Sequence, residues 1–234
     1  MNKNSIIRFL IVLGVTGSAS QGNAQGTFRN LGFESASIPT VQVGSLVPAS
    51  EAMPDWNLYV TSPGGGSNSL SQVSYDGVST GGDEVSIDDS GASPGFGPIS
   101  GKYSAYLYSG NQGNVLFSVG ISQTGLVPLG TESLQFQVGF ATSPFIVTLG
   151  GQTINIVPLA AFSGYTEYGG DISAFAGQTQ TLTFTETFPS VGAPPGGLSL
   201  DNIIFSTSPV PEPGTLALLV AGAALLGLRR RRKA

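Results

Sequence analysis

The sequence contains no cysteine and no histidine. The first absence excludes disulfides, thiol nucleophiles and thiolate metal sites. The second excludes imidazole acid–base chemistry and any Ser-His-Asp arrangement. Charge is also scarce. Asp, Glu, Lys and Arg make up 10% of the 234 residues, against a usual share of about a quarter. What charge there is lies unevenly. Lys3 and Arg8 stand at the start, and Arg229, Arg230, Arg231, Arg232 and Lys233 at the end. Between Gln25 and Val210 only Arg29 and Lys102 face thirteen acids, which leaves that stretch at −11. A body this acidic is repelled by phosphate backbones, which argues against nucleic acid as a partner. Divalent cations and neutral polymers remain compatible with it.

Helical periodicity is missing as well, while glycine (34 residues) and proline (15) are abundant. That mix favours short strands joined by tight turns. Several stretches alternate apolar and polar residues at period two. Leu134, Phe136, Val138 and Phe140 share a face within 132–140, as do Val115, Phe117, Val119 and Ile121 within 114–122. In 180–186, Leu182 and Phe184 point one way and Thr181, Thr183 and Thr185 the other. Further strands are expected at 28–33, 56–61, 72–75, 84–87, 103–108, 145–149, 152–157 and 198–206, with Gly150-Gly151 as a hairpin turn. The glycine-rich stretches 62–69 and 90–101 read as surface loops. Some ten short antiparallel strands predict an all-β, two-sheet jelly-roll sandwich over 25–206, followed by a linker at 207–209.

The two ends have a different character. Residues 1–24 read as a secretory signal peptide: a basic leader, the apolar core 9–15, and a small-residue cleavage site at Gly22-Asn23-Ala24. At the other end, 215–228 is an apolar stretch with six leucines. As a transmembrane helix it reaches roughly 21 Å, short of the ~30 Å hydrocarbon layer. Its insertion free energy is roughly −3 kcal/mol, a marginal anchor. The basic tail 229–233 holds its far end in the cytoplasm, leaving the body outside. Directly before the helix, Pro211-Glu212-Pro213 is held extended by its two prolines.

This tail resembles the PEP-CTERM sorting signal of Gram-negative bacteria. The matching elements are Val210, the triplet Pro211, Glu212 and Pro213, the apolar span, and Arg229, Arg230, Arg231 and Arg232 with Lys233. The resemblance implies a membrane protease of the exosortase type as partner, transient residence in the inner membrane, and delivery to the cell surface or the exopolysaccharide matrix. The body resembles galactose-binding-like and carbohydrate-binding-module jelly rolls. Asn30-Leu-Gly-Phe-Glu34 looks like their opening signature, and Asp55-Trp56 sits where they carry a tryptophan. Pro98 to Tyr103 looks like their central strand entry, and 171–178 and Leu200-Asp201-Asn202-Ile203 look like their closing segments.

In modules of that kind the opening and closing carboxylates lie on adjacent strands and help hold a structural calcium ion. The resemblance gives that role to Glu34 and Asp201. Calcium takes hard oxygens only, which is what a chain without cysteine or histidine offers. The acids Asp83-Glu84 and Asp88-Asp89 miss the spacing of an EF-hand loop and read as a solvated loop. For stacking on a glycan the chain offers Trp56 and Tyr168. Tyr165 and Tyr168 are expected to be exposed, whereas Trp56, Tyr103 and Tyr106 also suit a core. No pair among thirteen acids is singled out for glycosidase chemistry, and no glycine-rich loop opens a helix to hold phosphate. The expectation is a non-enzymatic structural or adhesive protein. A carbohydrate-binding module of the matrix and a small polysaccharide-acting enzyme are the alternatives.

Overall fold

Alternating side chains force the chain to bury one face of each strand, and two sheets packed face to face do so. The computed structural model describes residues 26–62, 64, 66–77, 84–89, 97–109, 111–112, 115–187 and 196–210. Among them, one eight-stranded sheet runs in the order β1 (Leu46–Pro48), β4 (Gln72–Tyr75), β5 (Glu84–Asp88), β6 (Ser104–Ser109), β16 (Gly196–Ser206), β10 (Ser133–Ala141), β14 (Thr166–Asp171) and β13 (Val157–Ala161). The six-stranded sheet runs β12 (Gln152–Thr153), β11 (Phe145–Leu149), β15 (Thr179–Glu186), β9 (Ser118–Leu126), β2 (Asn57–Thr61) and β3 (Ser67–Ser69). A small ribbon pairs β7 (Asn111–Gln112) with β8 (Val115–Leu116). The body is thus an all-β, two-sheet sandwich.

The core follows the alternation. Leu134, Phe136 and Val138 of β10 are at most 3% exposed and meet Leu182 and Phe184 of β15, which are fully buried. Phe136 lies edge-on to Phe184 with ring centroids 5.1 Å apart. Each such side chain contributes about 1.5–3 kcal/mol by leaving water. Gly150 and Gly151 have φ of +60° and +77° and close the β11–β12 hairpin, as the sequence indicates.

Central strand β16 contains a bulge. Its pairing with β10 passes from Gln135↔Ile204 to Gln137↔Asp201, so β16 holds one residue more than its partner. Asn202, at φ +47°, sits at this irregularity. The bulge keeps Leu198 and Leu200 on one side of it, and Ile203 and Phe205 on the other, all facing the core.

Several expectations are corrected. Residues 28–33 form no strand: 28–30 are irregular and the chain turns over 31–35. The Gln123 side chain accepts from the Arg29 amide at 2.6 Å and donates to the Arg29 carbonyl at 2.9 Å. A side chain thereby takes the place of a neighbouring strand's backbone. Residues 67–69 are edge strand β3. The strand expected over 152–157 divides, because buried Ile154 turns the chain from β12 towards β13. The strand expected over 114–122 divides between β8 and β9.

Among the described residues no helix is long and apolar enough to cross a membrane. The leader 1–24, the triplet Pro211–Pro213, the stretch 215–228 and the tail 229–233 lie outside the described residues.

Candidate functional site

The most constrained part of the body is where the chain's opening turns meet the bulge of β16. Asn30 and Phe33 take φ of +50° and +58°. Side chains secure this shape. Asn30 donates to the Pro54 carbonyl at 3.0 Å and accepts from the Ser35 amide at 2.9 Å. Trp56 Nε1 donates to the Asn30 carbonyl at 3.0 Å, and its ring tilts against Phe33 at 5.7 Å. Trp56 is 6% exposed. A stacked sugar needs an open ring face, so this indole braces the turn, and the search for a sugar platform moves elsewhere.

The turn presents Glu34 to the segment before β6. Glu34 Oε1 accepts the amides of Lys102 (2.8 Å) and Tyr103 (3.1 Å). This close approach needs Gly101, which has φ +63°, and a Cβ there would overlap the Glu34 carboxylate. Asp201, 1% exposed, reaches the same segment from β16. Its Oδ2 accepts from the Ser100 amide (2.8 Å) and the Ser104 hydroxyl (2.9 Å), and its Oδ1 from the Asn202 amide (2.6 Å). Burial pushes the Asp201 carboxyl up to about 6, and the charge of Glu34 adds to the rise. The two carboxylates thus converge on one segment, with Glu34 in a turn, not on the strand that was expected. Neither makes an ion pair with a side chain among the described residues. Lys102 instead points its Nζ over the Tyr103 ring at 4.6 Å. The resemblance marks the segment Pro98–Tyr103, but nothing in the sequence singles out Ser100, Ser104 or the amides of 102 and 103 as partners of the two acids. They are found only because Gly101 and the bulge bring them to the two acids.

Hard carboxylate oxygens with no cationic side-chain partner among the described residues suit calcium in kind. The described residues contain no group of three or more Asp, Glu, His or Cys able to hold a metal. The remaining ligands would have to be backbone carbonyls and water.

Of the second acid cluster, Asp83 lies outside the described residues. Asp88 is 4% exposed and accepts from the Ser86 hydroxyl, so it belongs to a buried strand end and not to a solvated loop. Asp89 accepts from the Tyr75 hydroxyl at 2.8 Å, and its amide donates to Asp76 at 2.8 Å. Burial, with the neighbouring Asp89, raises the Asp76 carboxyl to about 6.

Tyr168 and Tyr165 are half-buried, where exposure was expected. Tyr168 stacks on Phe136 at 6.0 Å and lies edge-on to Phe145 at 5.6 Å. It borders a groove of about 380 Å³ between the sheet edges, with Ile146, Ile154, Ile156 and Ser143. The Ser143 hydroxyl is buried and has no hydrogen-bond partner among the described residues. Tyr103 and Tyr106 are buried, in line with the core alternative.

Several contacts hold the chain as it leaves the fold. Ser133 Oγ donates to the Ser208 carbonyl at 2.7 Å, and the Ser208 amide to Ser206 Oγ at 3.1 Å. Val210 Cγ2 sits 3.1 Å from where a Cβ of Gly169 would lie. The body is therefore packed up to the residue before Pro211. The chain's first described residues are at the same end: the Thr27 hydroxyl accepts from the Leu126 amide at 2.7 Å, and the turn after Leu126 leads into β10 beside Ser206.

Comparison with solved structures finds partial likenesses. TmCBM61, solved in complex with β-1,4-galactotriose, shares 14% identity at a TM-score of 0.40, over 77% of this chain and 97% of its own. A Stig cyclase, Fisc, from Fischerella sp. TAU shares 14% at 0.46, over 78% and 96%. A cyclase from the same organism, in complex with 4-(1H-indol-3-yl)butan-2-one, shares 16% at 0.47, over 81% and 100%. With TM-scores below 0.5, these likenesses transfer no ligand or activity to this chain. Comparison with curated proteins finds no match. The C-terminus is matched by a family: behind a two-sheet β-sandwich, the chain carries the PEP-CTERM protein-sorting motif at residues 209–233.

Proposed function

We propose that this is a non-enzymatic protein of the cell surface or extracellular matrix, whose jelly-roll-type sandwich serves a structural or adhesive role after an exosortase has processed its tail. The observation that carries the reading is the junction. The sorting motif at 209–233 begins three residues after central strand β16 ends at Ser206, so body and signal are one continuous piece. The leader carries the chain across the inner membrane, and 215–228 holds it there with Arg229, Arg230, Arg231 and Arg232 on the cytoplasmic side. Pro211, Glu212 and Pro213 are the segment that the protease would recognise. Changing all three to alanine in the native host tests this. The body should then accumulate with the inner membrane. An unchanged distribution outside the cell overturns the reading.

Glu34 and Asp201 would hold a structural calcium ion, together with backbone carbonyls. When bound, the ion would supply charge neutralisation between two carboxylates that now repel each other, and tie the opening turns to β16. At about a hundred times its dissociation constant, calcium would add roughly 2.7 kcal/mol. For a body of this size that is about 5–10 °C in Tm. Melting with calcium against chelator, in wild type, Glu34→Gln and Asp201→Asn, decides it. No shift in the wild type removes the ion.

A second reading, carbohydrate binding, is favoured by the groove at Tyr168. It combines aromatic edges, an aliphatic wall and the unpartnered Ser143 hydroxyl, the mixture a sugar ring requires. Retention on polysaccharide that is lost in Tyr168→Ala would establish it.

A further inference from the structure

The outer face of the six-stranded sheet has a chemistry unlike the rest of the body. Side chains alternate along these strands, and Leu58, Val60, Val119, Ile121, Leu182 and Phe184 take the inner positions. The outer positions then form cross-strand rows. One row is Thr148, Thr183, Ser122 and Asn57; the next is exposed Ile146, then Thr185, Gly120, Tyr59 and Ser69. Among the described residues no charged side chain occupies this face, on a body that carries −11 between Gln25 and Val210.

Its hydroxyls hold one another in place. Thr124 and Thr181 lie within 2.8 Å, Thr61 and Ser67 within 2.8 Å, and the Tyr59 phenol and Thr185 within 3.0 Å. Tyr59 reaches from β2 across β9 to Thr185 of β15, and its phenol end passes over Gly120, where a Cβ would overlap the phenol carbon and oxygen. Tyr59 is half-buried. Neighbouring strands are about 4.8 Å apart and outward residues on one strand about 6.8 Å apart.

We propose that this face, centred on Tyr59, is a docking surface for a neutral polysaccharide chain. The class of ligand rests on the carbohydrate reading above, but the place is different: the outer face of one sheet instead of the groove at Tyr168. A sugar ring offers an apolar C–H face to an aromatic ring and hydroxyls to the groups around it, and Tyr59 ringed by Thr, Ser and Asn meets both demands. Charge decides the occupant. An acidic body repels polyanionic polymers at a distance. A face stripped of charge lets an uncharged chain approach without desolvating ions.

The test uses the full-length protein in detergent, run in native gels containing a dissolved neutral galactan or β-glucan, or the polyanion alginate, and pulled down on insoluble cellulose. At least one neutral polymer should retain the wild type and alginate should not. Retention should be insensitive to salt between about 0.05 and 1 M. Tyr59→Ala should weaken it by about tenfold. Thr183→Glu, a surface change that leaves the core intact, should do the same with an unaltered melting temperature. Tyr168→Ala should retain binding. Loss in Tyr168→Ala but not in Thr183→Glu overturns this inference and leaves the groove reading standing. No retention on any neutral polymer overturns both. Retention by alginate that falls with salt overturns it. So does concentration-dependent dimerisation that Thr183→Glu abolishes without polymer retention, which would assign the face to a second copy of the chain.

Discussion

Replacing Gly101 by alanine should break the tie between the chain's opening turns and its central sheet. The backbone at 101 has φ +63°, which costs a side-chain-bearing residue about 1 kcal/mol or more. The new Cβ also falls on the Glu34 carboxylate, which must leave. Its bonds from the Lys102 and Tyr103 amides go with it. Hydrogen bonds to a charged acceptor are worth about 1.5–3 kcal/mol, with the lower value suited to the exposed Lys102 end. Together the loss is about 4 kcal/mol. At 2–4 °C per kcal/mol for a body of this size, the melting temperature should fall by about 8–16 °C. Urea and thermal denaturation of wild type, Gly101→Ala, Glu34→Ala and the double variant form the assay. Because Gly101→Ala displaces the Glu34 carboxylate and Glu34→Ala deletes it, both changes remove the same bonds, and the double variant should be much less destabilised than the sum of the two. A Gly101→Ala protein that melts with the wild type, or strict additivity, would refute the reasoning.

The Asp76 carboxyl, raised to about 6 by burial and its neighbour Asp89, should make stability depend on pH. The folded state keeps its proton after the unfolded state has lost it near 4, so this contribution is complete below about 4 and is lost as pH rises through about 6. Melting at several pH values across that window, in wild type and Asp76→Asn, should show a steeper decline in the wild type; equal slopes would contradict it. Because Val210 is packed against Gly169 and Ser208 is held by Ser133, the triplet has almost no free chain before it. Inserting a short Gly-Ser spacer between Ser208 and Pro209 should speed tail processing in pulse-chase labelling, and an unchanged or slower rate would count against that geometry. Truncating Trp56 to alanine removes a buried ring and its bond to Asn30, and should cost about 3–5 kcal/mol in chemical denaturation; a loss below about 1 kcal/mol would show that the indole does not brace the turn.

Period-two alternation made the strands of the core legible, since Leu134, Phe136, Val138, Leu182 and Phe184 each had a polar residue or glycine on either side. Gly150-Gly151 marked its hairpin because two positive φ values in succession favour glycine. The strands towards the β13 edge were not legible. Thr166–Asp171, between β10 and edge strand β13, contains Gly169 and Gly170, whose missing side chains admit Leu159, Val210, Ile154 and Ile156 from neighbouring segments. Its place in the sheet comes from those partners and leaves no local pattern. The opening segment misled for a related reason. Its apolar residues do enter the core, but Gln123 satisfies the Arg29 backbone groups from the side, so no strand forms. At the candidate site, Glu34 and Asp201 were legible only through the resemblance of their segments to the opening and closing segments of carbohydrate-binding modules. The groups that receive them are backbone amides and serines, ordinary in any sequence. Trp56 suited both a platform and a core, and only its 6% exposure chooses between them.

The account rests most on the tail as a temporary holdfast removed during export. Intact-mass and C-terminal peptide mass spectrometry on protein recovered from the culture medium tests it directly. The account predicts a chain lacking 215–228 and the arginines after it, while the membrane fraction holds a longer form. Recovery outside the cell of protein that still ends in Arg229 to Ala234 would contradict it.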